Sequence, residues 1–347
     1  MFVSRSKYPI AAVTVISLLA GCTGGSSTPA IAAQAARNQS HVRVQTSSCP
    51  CLYVPNFGNS SVTVYAHGAN GNVAPVQKIT GQRTGLYFPT AIALDASGRM
   101  YVTNQSNNSV TVYAAGATGN VFPVQTIIGT YTGLVQPFGI AVNPVNGDIY
   151  VSNSEGASNN VGSITIYPAN ANGNVVPTAT IEGVNTDLQS PTGLVLDASG
   201  EIYVANSADG GSITVYAAGS TGDAAPIQYI HGRRTKLNAT YQVGVDSDLN
   251  IYAANTSLST ITVYAAGATG SVSPIRTIKG GATKLFVPDG VALDSGNTIY
   301  VANYDGGAKG TGYMTVYAPG ANGRVAPIDE IKGAATGISA PAGITVR

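Results

Sequence analysis

One phrase recurs six times along this chain of 347 residues. It reads Tyr-Val-Ala-Asn, Ser-Ile-Thr-Val-Tyr, Ala-Gly-Ala-Thr-Gly-Asn-Val, Pro-Ile-x-Thr-Ile-x-Gly and Pro-x-Gly-Ile-Ala-Leu-Asp-Ala-Ser-Gly, with small variations. The first Tyr of each copy is Tyr53, Tyr101, Tyr150, Tyr203, Tyr252 or Tyr300, and the steps between them are 48, 49, 53, 49 and 48 residues. Each copy holds four short runs rich in Ile, Val, Thr and Tyr, separated by joints rich in Gly, Asn and Ser. The runs suit pleated, half-buried strands and the joints suit turns. A period in this range with four strands per unit is the signature of a β-propeller. The expected fold is therefore all-β: a six-bladed β-propeller of four-stranded antiparallel blades.

Within one copy the strands read as a (Pro89 to Leu94), b (Met100 to Thr103), c (Val110 to Tyr113) and d (Val124 to Ile127). The two chain ends are complementary. Pro341 to Val346 is an a strand with no b strand after it, and Leu52 to Val54 is a b strand with no a strand before it. The C-terminal strand should complete the blade that the N-terminal strand begins, closing the ring and removing a free sheet edge. Twelve of the 19 tyrosines sit at the start of strand b or the end of strand c, where they are expected to pack between blades. The Asn closing every strand b (Asn56, Asn104, Asn153, Asn206, Asn255 and Asn303) reads as a loop support, because Asn side chains bond nearby backbone groups.

The first residues stand apart from the repeat. Arg5 and Lys7 precede a short apolar stretch, Ile10 to Leu19, too short to span a bilayer. It ends Leu19-Ala20-Gly21-Cys22, which resembles the lipobox of bacterial lipoproteins. That resemblance implies a signal peptide over 1–21, lipidation of Cys22, and residence in the bacterial cell envelope, with the outer membrane or cell surface favoured by Thr23. Residues 22–48 lack a period and read as a lipid-anchored flexible tether, with a reach of roughly 25–30 Å. The repeat domain then occupies 49–347. Cys49 and Cys51 flank Pro50, and a disulfide between them would close a very small, strained ring.

Residues 49–347 resemble six-bladed propellers of the NHL-repeat type, within the broader gluconolactonase-like superfamily. The motifs are Pro-x-Gly-Ile-Ala-Leu-Asp, Ile-Tyr-Val-Ala-Asn and Ser-Ile-Thr-Val-Tyr. Asn206, Asn255 and Asn303 stand where those repeats often carry Asp, and Ser212, Thr260 and Tyr313 where they often carry Arg. The gluconolactonase resemblance implies a divalent cation held by carboxylate and amide oxygens at the channel mouth. Here Asp289 would need Asp305 and the strand-b Asn groups to help it, and no metal or other cofactor is expected.

Strand alternation puts the a–b and c–d joints on one face of the ring and the b–c and d–a joints on the other. The first set is nearly uniform, while the second is expected to vary from blade to blade, as specificity loops on a rigid frame do. From the strand-b Asn to strand c, most b–c loops take six or seven steps, but Asn153 to Ile164 and Asn303 to Met314 both take eleven. These two loops belong to opposite blades and would face each other across the channel. The residue after the strand-a Pro should line the mouth: Thr90, Phe138, Thr192, Tyr241, Asp289 and Ala342, with Tyr241 following Thr240 in the copy that lacks the Pro.

Charged residues make up 10% of the chain, against roughly 25% in ordinary domains. The net charge is +1, and no basic stripe is interleaved with aromatics, so nucleic acid is not an expected partner. His41, His67 and His231 have no Ser or Cys at a catalytic spacing, and no catalytic residue is assigned. The expectation is a monomeric, membrane-anchored interaction module whose variable face meets an envelope protein or glycan through Phe138, Tyr241, Asp289, Tyr304, Asp305 and Arg233. The alternatives are a metal-dependent lactonase or lyase of the gluconolactonase type, and a purely structural envelope protein.

Overall fold

A computed structural model describes residues 51–155, 162–306 and 311–347. They form six separate four-stranded antiparallel sheets, with no α-helix among the described residues. Blade 2 is typical, with strands a to d at Pro89–Leu94, Met100–Asn104, Ser109–Tyr113 and Gln125–Ile128. Strand a is innermost, and the a strands of successive blades lie side by side around the axis. The proposed signal peptide, Cys22, the tether and Cys49 lie outside the described residues, as do 156–161 and 307–310 within the two long b–c loops.

The ring closes as the chain ends require. Thr345–Val346 pairs antiparallel with Leu52 and Tyr53 of strand b in blade 1. Cys51 N donates to Arg347 O at 2.8 Å, and Ala342 N donates to Pro55 O at 3.3 Å. The Arg347 guanidinium reaches on to the Ala96 carbonyl of blade 2 at 2.8 Å, so the last residue ties two blades.

The recurrent Pro-x-Gly has a steric cause. A Cβ placed on Gly139 would stand 2.4 Å from Thr192 O, and one on Gly343 would stand 2.7 Å from Thr90 O, both backbone atoms of the next blade. On Gly193 it would stand 2.7 Å from Gln242 Cα. Only a residue without a side chain lets the inner strands come this close. Blade 5 departs from the pattern, carrying Thr240-Tyr241-Gln242 where blades 3, 4, 6 and 1 have Pro-x-Gly.

Between blades, apolar side chains interdigitate. Tyr252 and Val263 of blade 5 pack with Val291 and Val301 of blade 6, for example. The strand-c tyrosines do more than fill space. Each hydroxyl donates to the carbonyl of a Thr in the incoming d–a joint, as in Tyr65 to Thr336, Tyr113 to Thr84 and Tyr264 to Thr235, all at 2.6 Å. Burial pushes the Tyr65 phenol up to about 12, which keeps it a donor.

Two expectations about the joints are corrected. The d–a joints share a common frame, Gly-x-x-Thr-x-Leu or Ile, in all six blades. The Thr hydroxyl donates to the Gly carbonyl and accepts from the following Leu or Ile N–H, as at Gly81, Thr84 and Leu86. Only the x positions vary. The c–d joints, for their part, do not stay on one face. Gly119 forms a parallel bridge with Ile79 of the preceding blade, and five more blades repeat it. Asn120 then accepts from Arg83 N in the d–a joint. The c–d segment centred on a Gly common to all six blades is therefore a strap between blades.

Replacing Gly193 with Val drives a branched side chain into the inner strand of blade 5. The expected cost is about 3 kcal/mol, the upper end of overpacking penalties, measured by urea unfolding.

Candidate functional site

The six strand-b Asn residues are fully buried and act as loop supports. Asn104 donates through Nδ2 to Thr111 Oγ1 at 3.1 Å and accepts through Oδ1 from Tyr87 N at 3.0 Å. Asn56, Asn153, Asn206, Asn255 and Asn303 repeat both contacts. Each amide is thereby occupied in joining strand c to the d–a joint, and none forms a ring of ligands.

Beside each Asn, two positions face the channel mouth. One follows the strand-a Pro and the other follows the strand-b Asn. Together they enclose a cavity of about 310 Å³ on the b–c and d–a face. From the first position come Thr90, Phe138, Tyr241, Asp289 and Ala342. Thr192 does not contribute; its hydroxyl turns to Thr240 O at 3.0 Å. From the second come Phe57, Gln105, Thr256 and Tyr304. Only Tyr304 of these was expected. The signal for the other three was a residue following a buried, inward-turned Asn. Val287, at the end of the d–a joint, completes the lining.

Two of the expected residues are not in this cavity. Asp305 does not line it. Arg233 lies exposed on the 3₁₀ turn Arg233–Thr235 of a d–a joint, beside exposed Arg234 and Lys236. The d–a joint leaves the outermost strand, which carries this basic cluster away from the axis. The paired walls expected from the two long loops depend on residues 156–161 and 307–310, outside the described set.

Beneath the cavity lies Gln242, lining a smaller space that shares Thr90, Phe138, Tyr241 and Ala342 with it. Its Nε2 donates to Ile344 O at 3.3 Å in blade 1, and its Oε1 accepts from Val291 N at 3.2 Å in blade 6. The side chain therefore bridges three successive blades, 5, 6 and 1. Gly193 and Gly290 leave the room it occupies. Above it the lining is aromatic and hydroxylic. Below it the channel is aliphatic, with Leu196, Val245, Leu293 and Val346.

Four rings and one carboxyl dominate the lining. Phe138 meets Tyr241 edge-on at 5.5 Å, and Phe57 lies 6.2 Å from Tyr304. Asp289 is 5% exposed and accepts a hydrogen bond from Thr256 Oγ1 at 2.9 Å. Burial outweighs that bond and pushes Asp289 up to about 7. Burial raises the Tyr241 and Tyr304 phenols, and the charge on Asp289 raises them further.

A divalent cation does not fit this lining. Hard cations take six or more oxygens, several of them ionised. The cavity brings one carboxyl, itself resisting ionisation, and no cluster of three His, Cys, Asp or Glu occurs among the described residues.

Comparison with known proteins supports the architecture. A family model described as a seven-bladed β-propeller lactonase matches residues 22–135, about a third of the chain. The ring described here has six blades. No curated protein matches by sequence. Among solved structures, a protein of unknown function from Bacteroides caccae superposes with a TM-score of 0.61 at 9% identity, covering 86% of this chain and 99% of that one. A chain of a nidogen/laminin complex gives 0.60 at 14% identity, covering 86% and 98%. At these identities the likeness is one of fold.

The folded state holds a proton on Asp289 that the unfolded state has lost between about pH 4 and pH 7. Stability should therefore fall as pH rises through that window. Asp289→Asn should abolish this fall. It should stabilise the protein at pH 8 by on the order of 3 kcal/mol, with little change at pH 4, as read by urea unfolding at both values.

Proposed function

We propose that this chain is a lipid-anchored envelope protein that binds a partner, an envelope protein or a glycan, through the b–c and d–a face of its propeller. The observation that carries the reading is the cavity where Phe57, Phe138, Tyr241 and Tyr304 converge on one buried carboxyl. Concave, largely apolar sites with a few convergent polar groups are where ligands bind. The scaffold beneath is rigid, because the Asn supports and Thr-centred joints fix both loop sets. The Leu19-Ala20-Gly21-Cys22 segment supports the anchor, and the tether would hold the binding face clear of the lipid.

A second reading is lactone hydrolysis, favoured by the family-model match over 22–135 and by Asp289. A carboxyl pushed up to about 7 is suited to take a proton from water near neutral pH. Such a reaction would run on this chain's own acid and hydroxyl groups, since the lining does not suit a divalent cation.

The triple variant Tyr241→Ala, Asp289→Asn, Tyr304→Ala should keep a cooperative thermal transition and lose capture of partners from the solubilised envelope of the producing cell. Capture undiminished in the variant would remove the cavity from the reading. Turnover of simple γ- and δ-lactones by the wild type, abolished by Asp289→Asn alone, would favour the hydrolase.

A further inference from the structure

The rings at the mouth do not stop at the cavity. Tyr304 lies 6.2 Å from Phe57, Phe57 lies 4.7 Å from Phe88, and Phe88 lies 5.2 Å from Tyr87. Interplanar angles of 55°, 51° and 87° turn successive rings in different directions. Tyr87, the outermost, is 50% exposed. A stepped aromatic ridge therefore climbs from the cavity across blades 1 and 2 to open solvent. It is one-sided. At the positions of Tyr87 and Phe88, blade 6 carries Phe286-Val287, with Phe286 45% exposed, while blades 3, 4, 5 and 1 carry Val135-Gln136, Gln189-Ser190, Asn238-Ala239 and Ser339-Ala340.

Resting on the binding reading above, we infer that the ridge and cavity together bind the end of a neutral glycan chain. Its terminal sugar would sit in the cavity, and the following sugars would leave over Phe57, Phe88 and Tyr87.

Three features favour this occupant. The C–H bonds on the flat face of a sugar are weakly positive and lie well on the negative faces of aromatic rings. The polar groups in the cavity are the Thr90 and Thr256 hydroxyls, the Gln105 amide, the two phenols and one carboxyl. The Thr90 and Thr256 hydroxyls already donate to Phe138 O and Asp289, which leaves the Gln105 amide and the two phenols to both donate and accept, as a sugar's dense hydroxyls demand. Among the described residues no cationic side chain lines the cavity, so an acidic chain or a peptide C-terminus finds no counter-charge from them there. The end-on geometry follows from Gln242. It spans blades 5, 6 and 1 beneath the cavity, and the channel below it is aliphatic, so a hydroxylated polymer enters terminus first rather than threading through. A cavity of about 310 Å³ lies at the small end of the ligand-site range of roughly 300–1,000 Å³, room for a terminal unit rather than a folded chain.

The test is calorimetry of the full folded chain against neutral oligosaccharide ladders of one to six units, built from glucose with α or β links and from N-acetylglucosamine. One ladder should bind, with affinity rising at least tenfold from one unit to four. Capping one end of the bound oligosaccharide should abolish binding, and capping the other should not. Tyr87→Ala with Phe88→Asn should flatten the ladder and spare the single-unit affinity. Asn is chosen at 88 because the backbone there has φ of 52°, which Asn tolerates. Tyr241→Ala should lose both.

A ladder that is flat in the wild type, or binding that survives a cap on either end, overturns the end-on chain. If no ladder binds but envelope capture still depends on Tyr241, Asp289 and Tyr304, the glycan falls and the binding face stands. If neither holds, both fall.

Discussion

Everything on the b–c and d–a face depends on the pairing of Thr345–Val346 with Leu52 and Tyr53. Without it the molecule is six wedges joined in a row, each in contact with at most two neighbours. With it, the apolar faces of blades 1 and 6 bury each other, and Leu52, Val54 and Ile344 join Tyr300, Met314 and Val316 in one core. The contact is short but reinforced. Arg347 extends it to blade 2, and a strap from blade 1 repeats outside what the strand does inside, through Gly71 N donating to Glu330 O at 2.7 Å. Closure also fixes which six inner strands surround the axis, and hence which side chains can meet at the mouth.

The axis itself is crowded. Inner strands that approach within backbone contact have no room for side chains, and blades 3, 4, 6 and 1 answer with Gly at the contact. Blade 5 supplies the one long side chain, Gln242, and the inward ring Tyr241 beside it. A sixfold repeat would leave a symmetric pore. One blade that breaks the phrase makes the mouth asymmetric, with Gln242 bridging blades 5, 6 and 1 beneath it. The same logic places Asp289 and Phe138, which hold one position in the repeat but differ in chemistry. Burial of Asp289 then makes its charge state responsive near neutrality.

Much of this architecture was legible in the sequence. The period and the complementary ends led to six blades and their closure, because each strand run carries its own turn signals. Five of the six residues after the strand-a Pro line the cavity as expected. Phe57, Gln105 and Thr256 escaped because nothing in one copy says that a buried Asn turns its successor inward. Gln242 escaped because its partners lie in other blades, 6 and 1, some 50 and 100 residues away in sequence. The common frame of the d–a joints escaped because Thr84 and its equivalents bond through one hydroxyl and one carbonyl, a pattern easily read as variable loop. Arg233 was drawn toward the mouth by its face alone, without its radial distance.

The most direct test of closure is to end the chain at Ala340 and follow native-state hydrogen exchange and limited proteolysis. The account predicts loss of protection first in blades 1 and 6, on both sides of the gap, a broadened thermal transition and ready cleavage. A shortened protein with the same single sharp transition and the same protection in strand b of blade 1 would contradict it.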